Sequence, residues 1–434
     1  MKRGFFTIMS AQFFSSLADN ALFVAAVELL LSSGAPEWQR AALVPMFALF
    51  YVVLAPFVGA FADALPKGNV MFISNAIKIV GCLMMLFGSH PLMAYAVVGL
   101  GAAAYSPAKY GILTELLPAS QLVKANGWIE GLTITSIILG VLLGGQLVGP
   151  RLSQLLLSID LPFIDTGITR PADAAIAALI VVYAVAAWFN LRIPCTGVEM
   201  RPLRHDRQRS IMANALALLP DFWACNGRLW RDKLGQISLS TTTLFWGAGG
   251  NLKFIVLAWA AVALGYNTTQ ASALTGVVAI GTAVGAVLAS LRMRLDIATR
   301  VIPMGIGMGV LLVLMVFIDS IWVAVPFLIL LGGLGGFLVV PMNALLQHRG
   351  HNLMGAGRSI AVQNFNEQAA ILGLGALYSL SLKMGLSVFG AITAFGLVVA
   401  GTMWLIRFWH FYNCKYHRAE VTHLLRIARR DNHH

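Results

Sequence analysis

Residues 12 to 20 place polar chemistry where a greasy helix is expected. Asp19 and Asn20 lie in the middle of an apolar stretch that runs from Phe5 to Leu31. Gln12, Ser15, Ser16 and Asp19 fall at spacings of three, four and seven, so their polar atoms line one helical face. A lone carboxylate in hydrocarbon costs about 3 kcal/mol on insertion scales, so such a residue faces a polar cavity or an opposite charge. The second deep charge is Lys253, in the apolar stretch 237–264. One acid and one base can flank a ligand that carries both signs, pair across an empty cavity, or form a purely structural ion pair. Asn126 with Glu130, and Gln363 with Glu367, each share a helical face at a spacing of four. These pairs either guide a polar group or cap a neighbouring helix end, with Lys109 and Asn343 as hydrogen-bond partners. Lys78, near the middle of another apolar stretch, either snorkels or pairs with a nearby acid.

The surroundings of these residues are a membrane domain. The chain has 434 residues, of which 58% are apolar and 11% charged. Its mean hydropathy is +0.79, whereas a soluble chain carries roughly 25% charged residues. The net charge of +12 does not point to nucleic acid, because the basic residues sit in short loops between apolar segments, as topology determinants do. Cys82, Cys195, Cys225 and Cys414 show no pairing or metal-type spacing and are expected to be free thiols. The basic start, Lys2 and Arg3, leads into a run too long and too polar at Asp19 for a cleaved signal. There is no phosphate loop and no nucleophile elbow. An enzyme is not expected, and neither is a cofactor or a metal.

Twelve apolar spans are predicted, at about 5–31, 41–62, 70–88, 91–111, 121–149, 172–193, 237–264, 271–291, 300–318, 321–346, 357–382 and 386–411. Each is long enough to cross roughly 30 Å of hydrocarbon at about 1.5 Å per residue. Lysine and arginine gather before the first span and after the second, fourth, sixth, eighth, tenth and twelfth, which puts both termini in the cytoplasm. The chain then divides into a six-helix half over 1–193, a cytoplasmic linker loop over 194–236, a second six-helix half over 237–411 and a basic tail over 412–434. The linker, with Trp223, Leu229 and Trp230 among its charges, predicts an interfacial helix. The tail reads as a membrane-surface helix or as a disordered basic segment.

The two halves repeat each other weakly. Asn20-Ala21-Leu22-Phe23 parallels Asn251-Leu252-Lys253-Phe254. Pro107-Ala108-Lys109-Tyr110 closes the fourth span, as Pro341-Met342-Asn343-Ala344 closes the tenth. Asn126 and Glu130 open the fifth span, and Gln363, Asn364 and Glu367 lie early in the eleventh. Gly59, Asp63 and Lys67, at spacings of four after the second span, suit a helix end that steadies one conformation. Gly332-Gly333-Leu334-Gly335-Gly336 reads as close helix packing and flexing, and the glycines at 247–250 as a weak point in the seventh span. Two parallel six-span repeats are a transporter layout with substrate held between the halves.

The layout and the Gly59/Asp63/Lys67 loop resemble the major facilitator superfamily. Ala18-Asp19-Asn20-Ala21-Leu22, the run Gly101 to Leu113, Leu122-Val123-Lys124-Ala125-Asn126-Gly127, Leu244-Phe245-Trp246-Gly247-Ala248-Gly249, Val340 to Gln347 and Ile360-Ala361-Val362-Gln363-Asn364 are more specific. Together they resemble the bacterial lysophospholipid transporters within that superfamily. The resemblance implies a multi-pass protein of the bacterial inner membrane, acting as a monomer. It would carry lysophosphatidylethanolamine and related lysolipids from the outer to the inner leaflet by alternating access, with the lipid reaching the site laterally. It also implies a separate acyltransferase/acyl-carrier-protein synthetase as partner, since no such domain is fused here. The residues so implicated at the substrate are Asp19, Asn20, Lys109, Tyr110, Asn126, Glu130, Lys253, Asn343, Gln363, Asn364 and Glu367. Gly59, Asp63, Lys67, Pro107 and Pro341 would serve gating or structure. Lys253 stands where an arginine is expected, and the basic tail is longer than expected. The competing reading is an ion-coupled exporter of amphipathic small molecules with Asp19 as the coupling acid.

Overall fold

A computed structural model describes residues 3–116, 119–159, 167–197, 210–354 and 356–431. All of the regular structure in it is helical. The helices are α1 (Arg3–Ser32), α2 (Glu37–Val53), α3 (Ala55–Ala64), α4 (Lys67–Leu86), α5 (Pro91–Leu116), α6 (Ala119–Leu147), α7 (Pro150–Leu157), α8 (Pro171–Leu191) and α9 (Ile211–Leu216). They continue with α10 (Leu218–Arg231), α11 (Gly235–Ala263), α12 (Thr268–Arg292), α13 (Ile302–Leu314), α14 (Ile321–Met354), α15 (Ala356–Lys383), α16 (Val388–Tyr416) and α17 (Arg418–Asp431). Short 3-10 turns cover Leu295–Val301 and Met315–Phe317. Among the described residues eight helices are long and apolar enough to cross a membrane, or nine if a pair bent by 66° at the α6–α7 junction is one span.

Each apolar span coincides with helical structure, but their ends move. The second breaks at Leu54 into α2 and α3, because Pro56 at the start of α3 has no N–H to continue the ladder. Pro107 and Pro341 do not close their helices. Both lie inside, and α5 runs on to Leu116 and α14 to Met354. A single proline removes one backbone bond and kinks a helix, and packing on both sides carries it through. His348 and Arg349, beyond the end of the predicted tenth span, are therefore helical.

Contacts divide the chain into two units: Met1–Leu218 with Tyr266–Gly276, and Leu219–Gly265 with Val277–His434. In the first, α1 packs on α6 and α8, and α4 on α5 and α8. Glycines let these backbones touch. A methyl group at Gly99 would lie 2.1 Å from the Phe47 carbonyl oxygen, and one at Gly144 would lie 2.7 Å from that of Ala21. At Gly101 it would lie 2.7 Å from Cγ of Lys78, so this glycine makes room for the lysine stem. In this unit Glu28 accepts a hydrogen bond from Thr268, and Thr269 donates to the Gly145 carbonyl at 2.7 Å.

In the second unit the glycine run of α14 lies against α12. A methyl at Gly332 would meet the Val278 carbonyl oxygen at 2.2 Å, and one at Gly336 would meet that of Thr282 at 2.0 Å. The glycines at 247–250 do not weaken α11, which is continuous. Gly247 and Gly250 instead receive Ala370 and Ile371 of α15. The linker helix α10 forms, and part of its apolar side packs on the protein while Trp223 stays half exposed. Cys225 and Leu229 pack with Leu239, Leu346 and Val362, and Phe222 and Trp223 meet the ring of Phe365 edge-on. The tail is helical too, with Val421, Leu424 and Ala428 buried in the protein.

Gly99→Ala and Gly336→Ala should each destabilise the purified protein by about 1–3 kcal/mol, because backbone lies where the methyl must go. Gly249→Ala, whose new methyl meets nothing within 4 Å, should leave the thermal midpoint in detergent unchanged.

Candidate functional site

The charge that α1 carries is answered by α4 and α8. Lys78 of α4 donates to Asp19 Oδ2 at 2.8 Å, and the Tyr183 hydroxyl of α8 donates to Asp19 Oδ1 at 2.7 Å. The same ammonium donates to Ser15 Oγ at 2.9 Å, and Ser15 donates in turn to Asn75 Oδ1 at 2.8 Å. The rings of Tyr105 and Tyr183 face the ammonium at 5.1 and 5.6 Å, which adds cation–π attraction. The polar stripe of α1 thus meets a matching polar face of α4. Ser15 contacts it one turn before Asp19, as the spacing of four requires.

The two charges are buried unequally. The Lys78 side chain is 1% exposed and that of Asp19 is 21% exposed. An ionised carboxylate offers roughly four acceptor positions. Lys78 and Tyr183 occupy two, so Asp19 keeps acceptor capacity on its open side. The buried amide nitrogen of Asn75 and the buried hydroxyl of Tyr105 have no hydrogen-bond partner among the described residues. Both are donors within the same cluster, and a water or a ligand oxygen would satisfy them.

This arrangement decides between the two expectations for Lys78, which pairs with a nearby acid. Lys78 does not snorkel; it is among the most buried large side chains of the protein. Within its own unit Asp19 is bound at both oxygens, by Lys78 and Tyr183. Lys253 is half-buried on α11. Two residues later than Asn251, it follows the side chain that ties α11 to α15: Asn251 donates to the carbonyls of Gly247 at 2.8 Å and Ile371 at 3.1 Å.

The structure joins some of the other candidates. Gln363 of α15 donates to Asn343 of α14 and, at 2.8 Å, to Glu367 one turn on. Asn364 is half-buried beside them in sequence. Lys109 is buried on α5 and donates to Thr133 at 3.4 Å. Asn20 is occupied locally, bonding the Ser16 carbonyl at 2.8 Å. Lys67 is buried at the start of α4 and donates to the Ala62 carbonyl at 2.7 Å. Gly59, Asp63, Tyr110, Asn126 and Glu130 lie in helices, but their side chains are outside the described residues. All four cysteines are free, and among the described residues no cluster of His, Cys, Asp and Glu could hold a metal.

Sequence reasoning missed a second buried ion pair. Arg349 of α14 forks onto Asp232, with Nε at 3.0 Å and an Nη at 2.6 Å from the two carboxylate oxygens. Asp232 also accepts the backbone N–H of Gly235 at 2.7 Å and so caps α11. Beside it Asn366 bridges α10 and α15, donating to Asn226 at 2.9 Å and accepting from the Trp230 indole at 3.2 Å. The signal available was weak: two charges 117 positions apart, each looking like an ordinary loop charge.

An all-helical chain of two units, with buried charges on helices apolar enough to span a membrane, defines a secondary-transporter type of membrane protein. The chain belongs to the Major Facilitator Superfamily, whose sequence model matches residues 8–374. It is similar to the lysophospholipid transporter LplT of Yersinia enterocolitica serotype O:8 / biotype 1B, at 40% identity over 394 residues that cover 89% of each chain. LplT of Yersinia pestis (strain Pestoides F) gives the same identity and coverage. Among solved structures it is similar to a bacterial homolog of the human lysosomal transporter Spinster, in an inward-facing and unoccupied conformation (TM-score 0.61, 15% identity, 99% and 98% of the two chains covered). The nucleoside transporter NupG is similar as well (TM-score 0.65, 13% identity, 96% and 100% covered). These two likenesses show the fold.

Asp19→Asn should leave the Lys78 ammonium buried without its counter-charge and cost about 3–5 kcal/mol of stability. Adding Lys78→Met should restore most of that loss. Thermal unfolding of the single and double variants measures both.

Proposed function

We propose that the protein transports lysophospholipids, lysophosphatidylethanolamine among them, from the outer to the inner leaflet of a bacterial inner membrane, where they can be re-acylated. The observation that carries the reading is the 40% identity to lysophospholipid transporters over 89% of the chain, joined to the buried charges of the membrane helices. A phosphoethanolamine head bears an amine and a phosphate. Asp19, with open acceptor positions, suits the amine, and Lys253 suits the phosphate. Lysine brings a point charge in place of the fork an arginine would offer, which favours a phosphate approached from one direction. The single acyl chain stays in lipid while the head crosses, so the site needs polar groups for the head alone.

In this reading the twelve apolar segments all span the membrane, both termini are cytoplasmic, and alternating access moves the head with lateral admission of the lipid. Gln363, Asn343 and Glu367 form a polar group on α14 and α15 that either guides the head or steadies the helix pair; Asn126, Glu130, Lys109 and Tyr110 would be their counterparts. The protein makes and breaks no covalent bond. It works as a monomer and hands its cargo to a separate acyltransferase/acyl-carrier-protein synthetase.

Reconstituted vesicles loaded with a fluorescent lysophosphatidylethanolamine test this. The wild-type protein should raise the rate at which label leaves the outer leaflet. Asp19→Asn and Lys253→Ala should each slow it by at least about tenfold, the equivalent of 1.4 kcal/mol in barrier. Wild-type rates in both correctly inserted variants would remove these residues from the site. Drug efflux in place of lysolipid movement would favour the ion-coupled exporter.

A further inference from the structure

The last helix lies beyond the residues 8–374 matched by the superfamily model, and its two faces are put to different uses. Its apolar residues Val421, Leu424 and Ala428 are buried, packed on the 3-10 segment Leu295–Val301. Its other face presents Arg418, Arg426, Arg429 and Arg430, all exposed. None of these four has a carboxylate within ion-pair distance among the described residues. The segment that α17 packs on and the end of α12 before it add three more exposed arginines, Arg292, Arg294 and Arg300. Among the described residues, Arg294 is the one of these three in an ion pair, with Asp296 at 3.1 Å. Two elements separated by more than a hundred residues thus pack together, and both carry exposed arginines.

Its position fits a lipid surface. The helix begins one residue after α16, whose final turns expose Phe408, Phe411, Tyr412 and Tyr416. Tyr412 and Tyr416 stand with ring centroids 4.6 Å apart. Aromatic side chains of this kind sit at the level of the headgroups, so α17 starts there. A recess of about 200 Å³ of mixed polarity, lined by Ser290, Met293, Arg294, Leu295, Val340 and Pro341, adjoins the same segment.

We propose that α17 and the 292–300 segment bind anionic phospholipid headgroups of the cytoplasmic leaflet and clamp the tail to the membrane. This rests on the cytoplasmic placement of the termini given above. Each basic side chain near an anionic surface adds roughly fivefold to the attraction, and the effect collapses when salt shortens the screening length to about 3 Å at 1 M.

The test is amide hydrogen exchange of residues 418–431 in the full-length protein, in phosphatidylcholine vesicles with and without phosphatidylglycerol. Phosphatidylglycerol should slow exchange several-fold. The difference should vanish at high salt and in the combined variant Arg426→Gln, Arg429→Gln and Arg430→Gln, which keeps the buried stripe. Equal exchange in the two kinds of vesicle overturns the proposal. So does protection seen only in native membranes and never in protein-free phosphatidylglycerol vesicles, which would assign the surface to an acidic protein. Lysolipid movement measured in the same vesicles separates the two readings. Transport without lipid-dependent protection sinks this inference alone, and protection without transport sinks the transport reading alone.

Discussion

The first unit depends on the need to keep Asp19 and Lys78 together. Neither charge is tolerable alone in a hydrocarbon setting, and Lys78 has no route to water at 1% exposure. The pair therefore dictates which helices meet. Asp19 fixes α1, Lys78 and Asn75 fix α4, Tyr183 fixes α8, and the Tyr105 ring brings in α5. Gly101 must lack a side chain so that α5 can cross over the lysine stem. A buried ion pair adds little net stability against a well-packed apolar substitute, but breaking it is costly. What it contributes here is one register of four helices and a carboxylate of fixed position with one side open.

The second unit solves a similar problem at another place. Its buried pair, Asp232 and Arg349, ties the start of α11 to the extension of α14. The Asn226, Asn366 and Trp230 contacts lock α10 onto α15 beside it. The two units thus place their buried ion pairs differently. In the first, the ion pair lies in the middle of the apolar stretches; in the second, it lies at the helix ends, and the mid-helix charge is Lys253.

Much of this was legible in the residues. The polar stripe of α1 announced Asp19 by its contrast with the apolar surroundings, and the glycines of α14 announced close packing. The Gln363–Glu367 pair followed from helical spacing, with Asn343 as its expected hydrogen-bond partner. What stayed hidden were partners set by tertiary packing. Lys78 sits in a span whose sequence does not show that it faces α1. Asp232 and Arg349 look like two loop charges until α14 is seen to continue past Pro341. The apolar stripes of α10 and α17 show in the sequence, but not the neighbours that Leu229 and Leu424 pack on, because amphipathicity does not say what covers a stripe. The break at Leu54 was missed because hydropathy does not register a lost backbone bond.

The account joins an inward-held charge pair to a zwitterionic lipid head, so its most direct test is to see that head in place. The measurement is an experimental structure of the protein with lysophosphatidylethanolamine bound. The account predicts the amine within hydrogen-bond distance of a carboxylate oxygen of Asp19, about 2.7–3.0 Å, while Lys78 remains at the other. A head held elsewhere, with Asp19 closed on Lys78 and Tyr183 alone, would contradict it.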